Sequence, residues 1–270
     1  MWHAFLTGEP YDLSAFPFVM RAAAFLEKHF FSLLPSEPRC RDCNVPFRGI
    51  GGALLRQFGY RQSDLTPRLC NSCVSMIKQF EGGAEVELSM LFADVRGSTA
   101  LAERIGTVEF RQMINRFYRA TTDVLITSNA LIDKLIGDEV VGLYVPGFAG
   151  PDHARVAVEA AQELLRATGH ADPAGPWIPV GAGVHTGTAY VGSVGSVEQV
   201  SDITALGDSV NTAARLASQA APGEILVSEA AITAAGLEVD GLEERQLELK
   251  GKSEPVDVRV IRINTPELQQ

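Results

Sequence analysis

Apolar positions along this chain follow two rhythms. From Val86 onward, runs with strand character alternate with stretches of helical spacing. The pattern predicts strands at about 86–94, 129–136, 139–146, 178–186, 188–194, 224–228, 244–249 and 256–263. It predicts helices at about 98–127, broken near Gly106, and at 152–168, 208–220 and 229–235. The order β-α-β-β-α-β, with further mixed elements after it, implies an α+β fold. It is the ferredoxin-like split unit with additions, a sheet carrying helices on one face and leaving the other free for a partner. Before Val86 the rhythm differs. Val19, Ala22, Ala23, Leu26, Phe30 and Leu33 keep helical spacing and predict one helix over 18–34, packed on its own chain through that face. A dimerisation helix or a membrane-surface helix would show the same spacing.

Charge divides the chain at the same place. Residues 1–80 hold 9 basic and 6 acidic side chains, a balance of +3, and the rest hold 14 and 27, a balance of −13. The 270 residues are 46% apolar, enough for a substantial core, and the net charge of −10 argues against nucleic acid as the main partner. No run of 18 uncharged apolar residues occurs, so no membrane span is expected. The apolar stretch near the N-terminus lacks the basic start and cleavage site of a secretory signal, which makes the cytoplasm the expected location. The organisation expected is an N-terminal helical cap at 1–36, a cysteine-bearing module at 37–80, a short EGGA joint, and a larger domain at 85–264.

All four cysteines lie in the basic part, spaced C-x2-C-x26-C-x2-C as Cys40, Cys43, Cys70 and Cys73. Two such hooks supply the four ligands of a tetrahedral zinc ion. Asn44 and Pro46 suit a turn after the first hook, and the second opens an apparent helix, so the module resembles a treble-clef zinc finger. An iron–sulfur cluster or a redox-switching dithiol pair would use the same four residues. Six arginines (39, 41, 48, 56, 61 and 68) accompany them. They suit a solvated face, a DNA contact or, best of the three, a contact with the acidic domain.

Candidate chemistry sits in three segments. Asp94 ends an apolar run in FADVRGST, and Asp138 occupies the tip of a hairpin in DKLIGDE, four residues after Lys134. Two carboxylates at strand ends, brought together, would hold divalent metal of the kind phosphate chemistry uses. Gly97 and Ser98 open a helix whose backbone N–H groups can cradle a phosphate. In GDSVNTAARL, Asp208 is the expected N-cap, and Asn211 and Arg215 lie at i and i+4 on one face. His185 reads as a strand or turn residue. His153 and His170, on an expected surface helix, receive no role.

Together these segments resemble the class III nucleotidyl cyclases over about residues 85–264. The resemblance implies a homodimer with two active sites, each built from both chains. It implies Asp94, Val95 and Asp138 around two Mg²⁺ or Mn²⁺ ions per site. Asn211 would orient the ribose, and Arg215 would stabilise charge on the transferring phosphate. Lys134 and Thr204 would recognise the purine, Lys donating to adenine N1 and the hydroxyl accepting from the amino group. Lys250 or Lys252, in ELKGKSEPV, would bind triphosphate. Many family members carry Asp where this chain has Thr204, and the Lys/Thr pair resembles a subgroup of adenylate cyclases. The implied reaction converts ATP to cyclic AMP and pyrophosphate. A guanylate cyclase and a catalytically idle, cyclase-like regulator are the alternatives.

Overall fold

The computed structural model describes residues 1–10, 18–63, 66, 68–78, 82–194, 202–249 and 255–263. Two compact units emerge. The first comprises Met1–Ala84 with Val191–Thr204, and the second Glu85–Tyr190 with Ala205–Gln270.

The first unit contains α1 (Trp2–Thr7), α2 (Phe18–Leu33), α3 (Gly49–Gln57) and α4 (Asn71–Lys78). Helix α1 was not expected from the sequence, since six residues are too few to show periodicity. It buries Trp2, Phe5 and Leu6. Helix α2 has the expected length but not the expected packing face. Leu26, Phe30 and Leu33 are 64%, 57% and 71% exposed, whereas Phe31 is buried and meets the Tyr60 ring edge-on. Spacing tells which positions share a face and is silent on which face finds a partner. Two of the six module arginines serve this unit itself. Arg39 donates to the carbonyls of Phe31, Leu34 and Asn44. Arg41 donates to the Phe5 carbonyl and stacks over its ring.

The remaining elements are β1 (Gly82–Val95), α5 (Ser98–Ile105), α6 (Thr107–Thr127), β2 (Leu131–Ile136), β3 (Glu139–Tyr144), α7 (Pro146–Ala149), α8 (His153–Ala167), β4 (Val180–Val194), β5 (Asp202–Leu206), α9 (Asp208–Gln219), β6 (Glu224–Ser228), α10 (Glu229–Ala235), β7 (Glu243–Leu247) and β8 (Val256–Arg262). The strands form a mixed sheet in the order β2-β3-β1-β4-β6-β8-β7, with β5 paired to β4. The α+β βαββαβ core is present, built from β1, α5–α6, β2, β3, α8 and β4. Gly106, at φ 82°, separates α5 from α6 where the break was expected.

Alternation along the strands sorts side chains between two faces. Leu91, Ala93, Val95, Val180, Ala182, Val184, Ile225 and Val227 join Phe117 of α6, Leu164 of α8 and Ile232 of α10 in the main core. Leu226, Val258 and Val260 turn the other way and pack with Leu216 and Ala220 at the end of α9. Helix α9 therefore covers part of the second face, and the expectation that helices lie on one face alone is corrected. The two strands expected at 178–186 and 188–194 are one continuous strand, β4. Strand β5 was missed. Lys250 and Lys252 lie outside the described residues.

Candidate functional site

The ends of β1 and β3 bring the two aspartates together. The antiparallel register sets Asp94 opposite Glu139, and the Val95 N–H donates to the Asp138 carbonyl at 3.1 Å. Asp138 stands at the tip of the β2–β3 hairpin, after Gly137 at φ 64°. A left-handed residue at that corner favours glycine. The Tyr118 hydroxyl of α6 holds the same corner, donating to the Gly137 carbonyl at 2.8 Å. Burial raises the Tyr118 pKa, and the Asp138 charge adds to the effect. Both aspartates are half-buried, so water and solutes reach them.

Arg96, which sequence reasoning left without a role, is a cation in direct contact with Asp94. Its guanidinium pairs with the Asp94 carboxylate, and its Nε donates to the Asp94 carbonyl at 3.3 Å. Burial lowers its pKa, while the charges of Asp138 and Glu139 raise it. One guanidinium thus senses three carboxylates. The carboxylates of Asp94 and Asp138 are hard-oxygen donors of the kind a divalent cation takes, on neighbouring strand ends that solvent reaches. Gly97, at φ 66°, turns the chain into α5, which begins at Ser98. The first backbone N–H groups of that helix are without helical partners, as at any helix start.

Asn211 and Arg215 lie one turn apart on α9, Asn211 exposed and Arg215 half-buried. The expectation for Asp208 is corrected: Gly207 is the N-cap, and Asp208 is the first helical residue, where its charge still favours the positive helix end. What positions α9 is glycine on β4. A Cβ on Gly183 would lie 2.3 Å from the Ala217 nitrogen and 2.8 Å from the Ala213 oxygen. Gly181 and Gly187 likewise leave no room against Ala220 and Ser209. The spacing G-x-G-x3-G in that strand was a legible signal of close backbone approach that sequence reasoning did not use.

Lys134 lies on β2, beside an irregularity in the β2–β3 register. Thr204 is buried on β5. The two fall in different compact units. The histidines need correction. His153 and His170 are both buried rather than on a surface. His153 Nδ1 shares a hydrogen bond with Ser89 Oγ at 3.0 Å, and His170 Nε2 accepts from the Val180 N–H at 3.0 Å. Burial lowers the pKa of each. His185 lies on β4 and bonds Ser228 Oγ at 2.8 Å.

The cysteines converge. Their four sulfurs lie within 4.8 Å of one another, Cys40 to Cys73 at 3.8 Å and Cys43 to Cys70 at 3.7 Å. A tetrahedron of thiolates around one ion at a Zn–S distance of about 2.3 Å has edges of about 3.8 Å. The donor set fits a single tetrahedral ion, whereas a cluster would spread its thiolates over several irons. The first hook closes on Asn44 at φ 63°, and Cys70 directly precedes α4. Backbone N–H groups of Cys70 and Cys73 donate to the sulfurs of Cys40 and Cys70. Crowding makes the thiols titrate unequally: the bond with Cys43 lowers Cys40, and bonds with Cys40 raise Cys43 and Cys73.

Among described residues, no helix is long and apolar enough to cross a membrane. Residues 83–261 match the family model described as "Adenylate and Guanylate cyclase catalytic domain". The chain is 30% identical over 146 residues to an adenylate cyclase of Anabaena cylindrica, covering 52% of this chain and 29% of that protein. It is 33% identical over 135 residues to adenylate cyclase 1 of Rhizobium meliloti (strain 1021), covering 48% and 20%. The chain thus spans less than a third of the length of these relatives. Among solved structures, the guanylyl cyclase Cya2 aligns with a TM-score of 0.61 at 26% identity, covering 70% of this chain and 98% of that one. The adenylyl cyclase CyaB from P. aeruginosa aligns at 0.56 and 26%, covering 66% and 95%.

Proposed function

We propose that this chain, which belongs to the adenylate and guanylate cyclase catalytic-domain family, converts ATP to 3′,5′-cyclic AMP and pyrophosphate as a homodimer with two shared active sites. The observation that carries the reading is the β1–β3 ladder, which sets Asp94 beside the Asp138 corner. Asp94 and Asp138, with the Val95 backbone between strand and turn, would hold two Mg²⁺ or Mn²⁺ ions. Bound there, such ions would lower the pKa of the ribose 3′-hydroxyl and offset charge on the phosphates.

The side chains do the rest. Asn211 holds the ribose so that its 3′-oxygen faces the α-phosphorus, a positioning contribution. Arg215 offers a charge-assisted fork to the equatorial oxygens as negative charge develops. In the dimer these two come from the chain opposite the aspartates they complete. Gly97 and Ser98 leave backbone donors open to a phosphate. Lys250 or Lys252 binds the triphosphate. Lys134 donates to adenine N1 and Thr204 accepts from the 6-amino group. A hydroxyl also donates, so Thr204 excludes guanine less strictly than a carboxylate would. That feature, with the fold similarity to a guanylyl cyclase, keeps guanylate cyclisation as the second reading.

The domain layout we propose is a cap at 1–36, a zinc-binding cysteine module at 37–80 and the catalytic domain at 85–264. Zinc staples a unit too small to rest on a core alone. An ATP-using enzyme with a reduced cysteine set belongs in the cytoplasm. The purified protein, given ATP or GTP with Mn²⁺, is expected to release cyclic AMP and pyrophosphate from ATP in preference to cyclic GMP from GTP. No cyclic product from either nucleotide overturns the enzyme reading and leaves a regulator.

A further inference from the structure

Arg96 grips two parts of its own unit at once. It lies one residue beyond β1, with a side chain only 18% exposed. Its backbone N–H donates to the Pro179 carbonyl at 2.8 Å, which fixes its Cα against the start of β4. The guanidinium pairs with the Asp94 carboxylate on one side. On the other, Nη1 donates to the Ser218 carbonyl at 2.7 Å. That carbonyl belongs to the last turn of α9, where the final four carbonyls have no helical partner and carry the negative end of the helix dipole. Ser218 Oγ in turn donates to the carbonyl of Arg215 at 2.8 Å. A continuous path of ion pair and hydrogen bonds therefore runs from Asp94 through Arg96 and Ser218 to the backbone of Arg215.

We propose that Arg96 is a positioning residue that competes with the divalent cation for the Asp94 carboxylate while anchoring the C-terminal turn of α9. The proposal rests on the functional reading above. An arginine stays protonated under all working conditions, so a fixed positive charge faces any cation that approaches Asp94. Its fork has donors enough to hold the α9 carbonyl whether or not the carboxylate is shared. In the proposed dimer, Asp94 and the α9 of one chain serve opposite active sites. Arg96 would then tie cation occupancy at one site to the helix that completes the other.

The test is a Mn²⁺ titration followed by electron paramagnetic resonance of the free ion, with steady-state kinetics beside it. Arg96→Gln removes the competing charge and is expected to bind Mn²⁺ on the order of tenfold more tightly. Its kcat should fall because α9 loses its anchor, while KM for ATP changes little. Arg96→Lys keeps the charge but cannot fork to both partners. It is expected to keep wild-type Mn²⁺ affinity and still lose kcat, and it carries the test if the Gln variant fails to fold. Asp94-dependent Mn²⁺ binding that is no tighter in Arg96→Gln overturns the competition, and full kcat in Arg96→Lys overturns the anchor. Mn²⁺ binding that Asp94→Ala leaves intact is a different failure, since it removes Asp94 from the cation site and with it the functional reading.

Discussion

Asp94, Arg96 and the four cysteines show how residue chemistry depends on neighbours a few ångströms away. An aspartate at a strand end is usually a turn former; Asp94 gains a further claim because the ladder supplies Asp138. Its identity and place were legible, since a carboxylate ending an apolar run stands out. Arg96 was not legible, because its partners at Ser218 and Pro179 are far away in sequence. The cysteines were legible from spacing alone, as two hooks of the same form make one ligand set. Their sulfur separations of 3.7–3.8 Å match a single ion. On the zinc reading proposed above, elemental analysis of the purified protein should find one zinc and no iron per chain. Cys40→Ser should release it and lower the melting temperature of the first unit. Iron in place of zinc would overturn the assignment.

At the scale of elements, the strand and helix pattern from Val86 onward was read well where elements are long or sharply bounded. Helix α10 and strand β6 occupy the expected residues. Errors fell where local pattern carries little information. Helix α1 is too short to show a period, and β4 reads as two strands because Gly187 interrupts its apolar run. Helix α2 exposes part of an apolar face that spacing alone would bury. The element that carries the proposed ribose and phosphate contacts is α9, which packs closely on the glycines of β4. Gly183→Val places a side chain into the Ala213 and Ala217 backbone. Overpacking of this kind costs about 1–3 kcal/mol. Thermal melting should fall accordingly, and activity should fall further, because α9 carries Asn211 and Arg215. A variant with wild-type melting and rate would show that close approach at this glycine is dispensable.

For the whole molecule, the proposed geometry makes a strong claim: a single chain cannot complete an active site. Asp94→Ala and Arg215→Ala are each expected to lose at least about 10²–10³ in rate, as removal of a charge stabiliser does. Mixed in equal amounts and allowed to exchange, they should recover about a quarter of wild-type activity. Half the random dimers are then hybrids, each keeping one intact site. The same assay on either variant alone gives the baseline. If the mixture stays at baseline while hybrid dimers form, the shared-site arrangement is wrong.

Motif content, binary pattern and the cysteine hooks are local properties, and the sequence by itself determined them: the α+β class, the family resemblance and the identity of the candidate metal ligands. Tertiary structure alone decided which strand ends meet, which face of the sheet α9 covers, and what Arg96 holds. The physical reason is range. Propensity and periodicity act over a few residues, whereas the contact between Arg96 and Ser218 joins positions 122 residues apart, and only the folded sheet brings them within hydrogen-bonding distance.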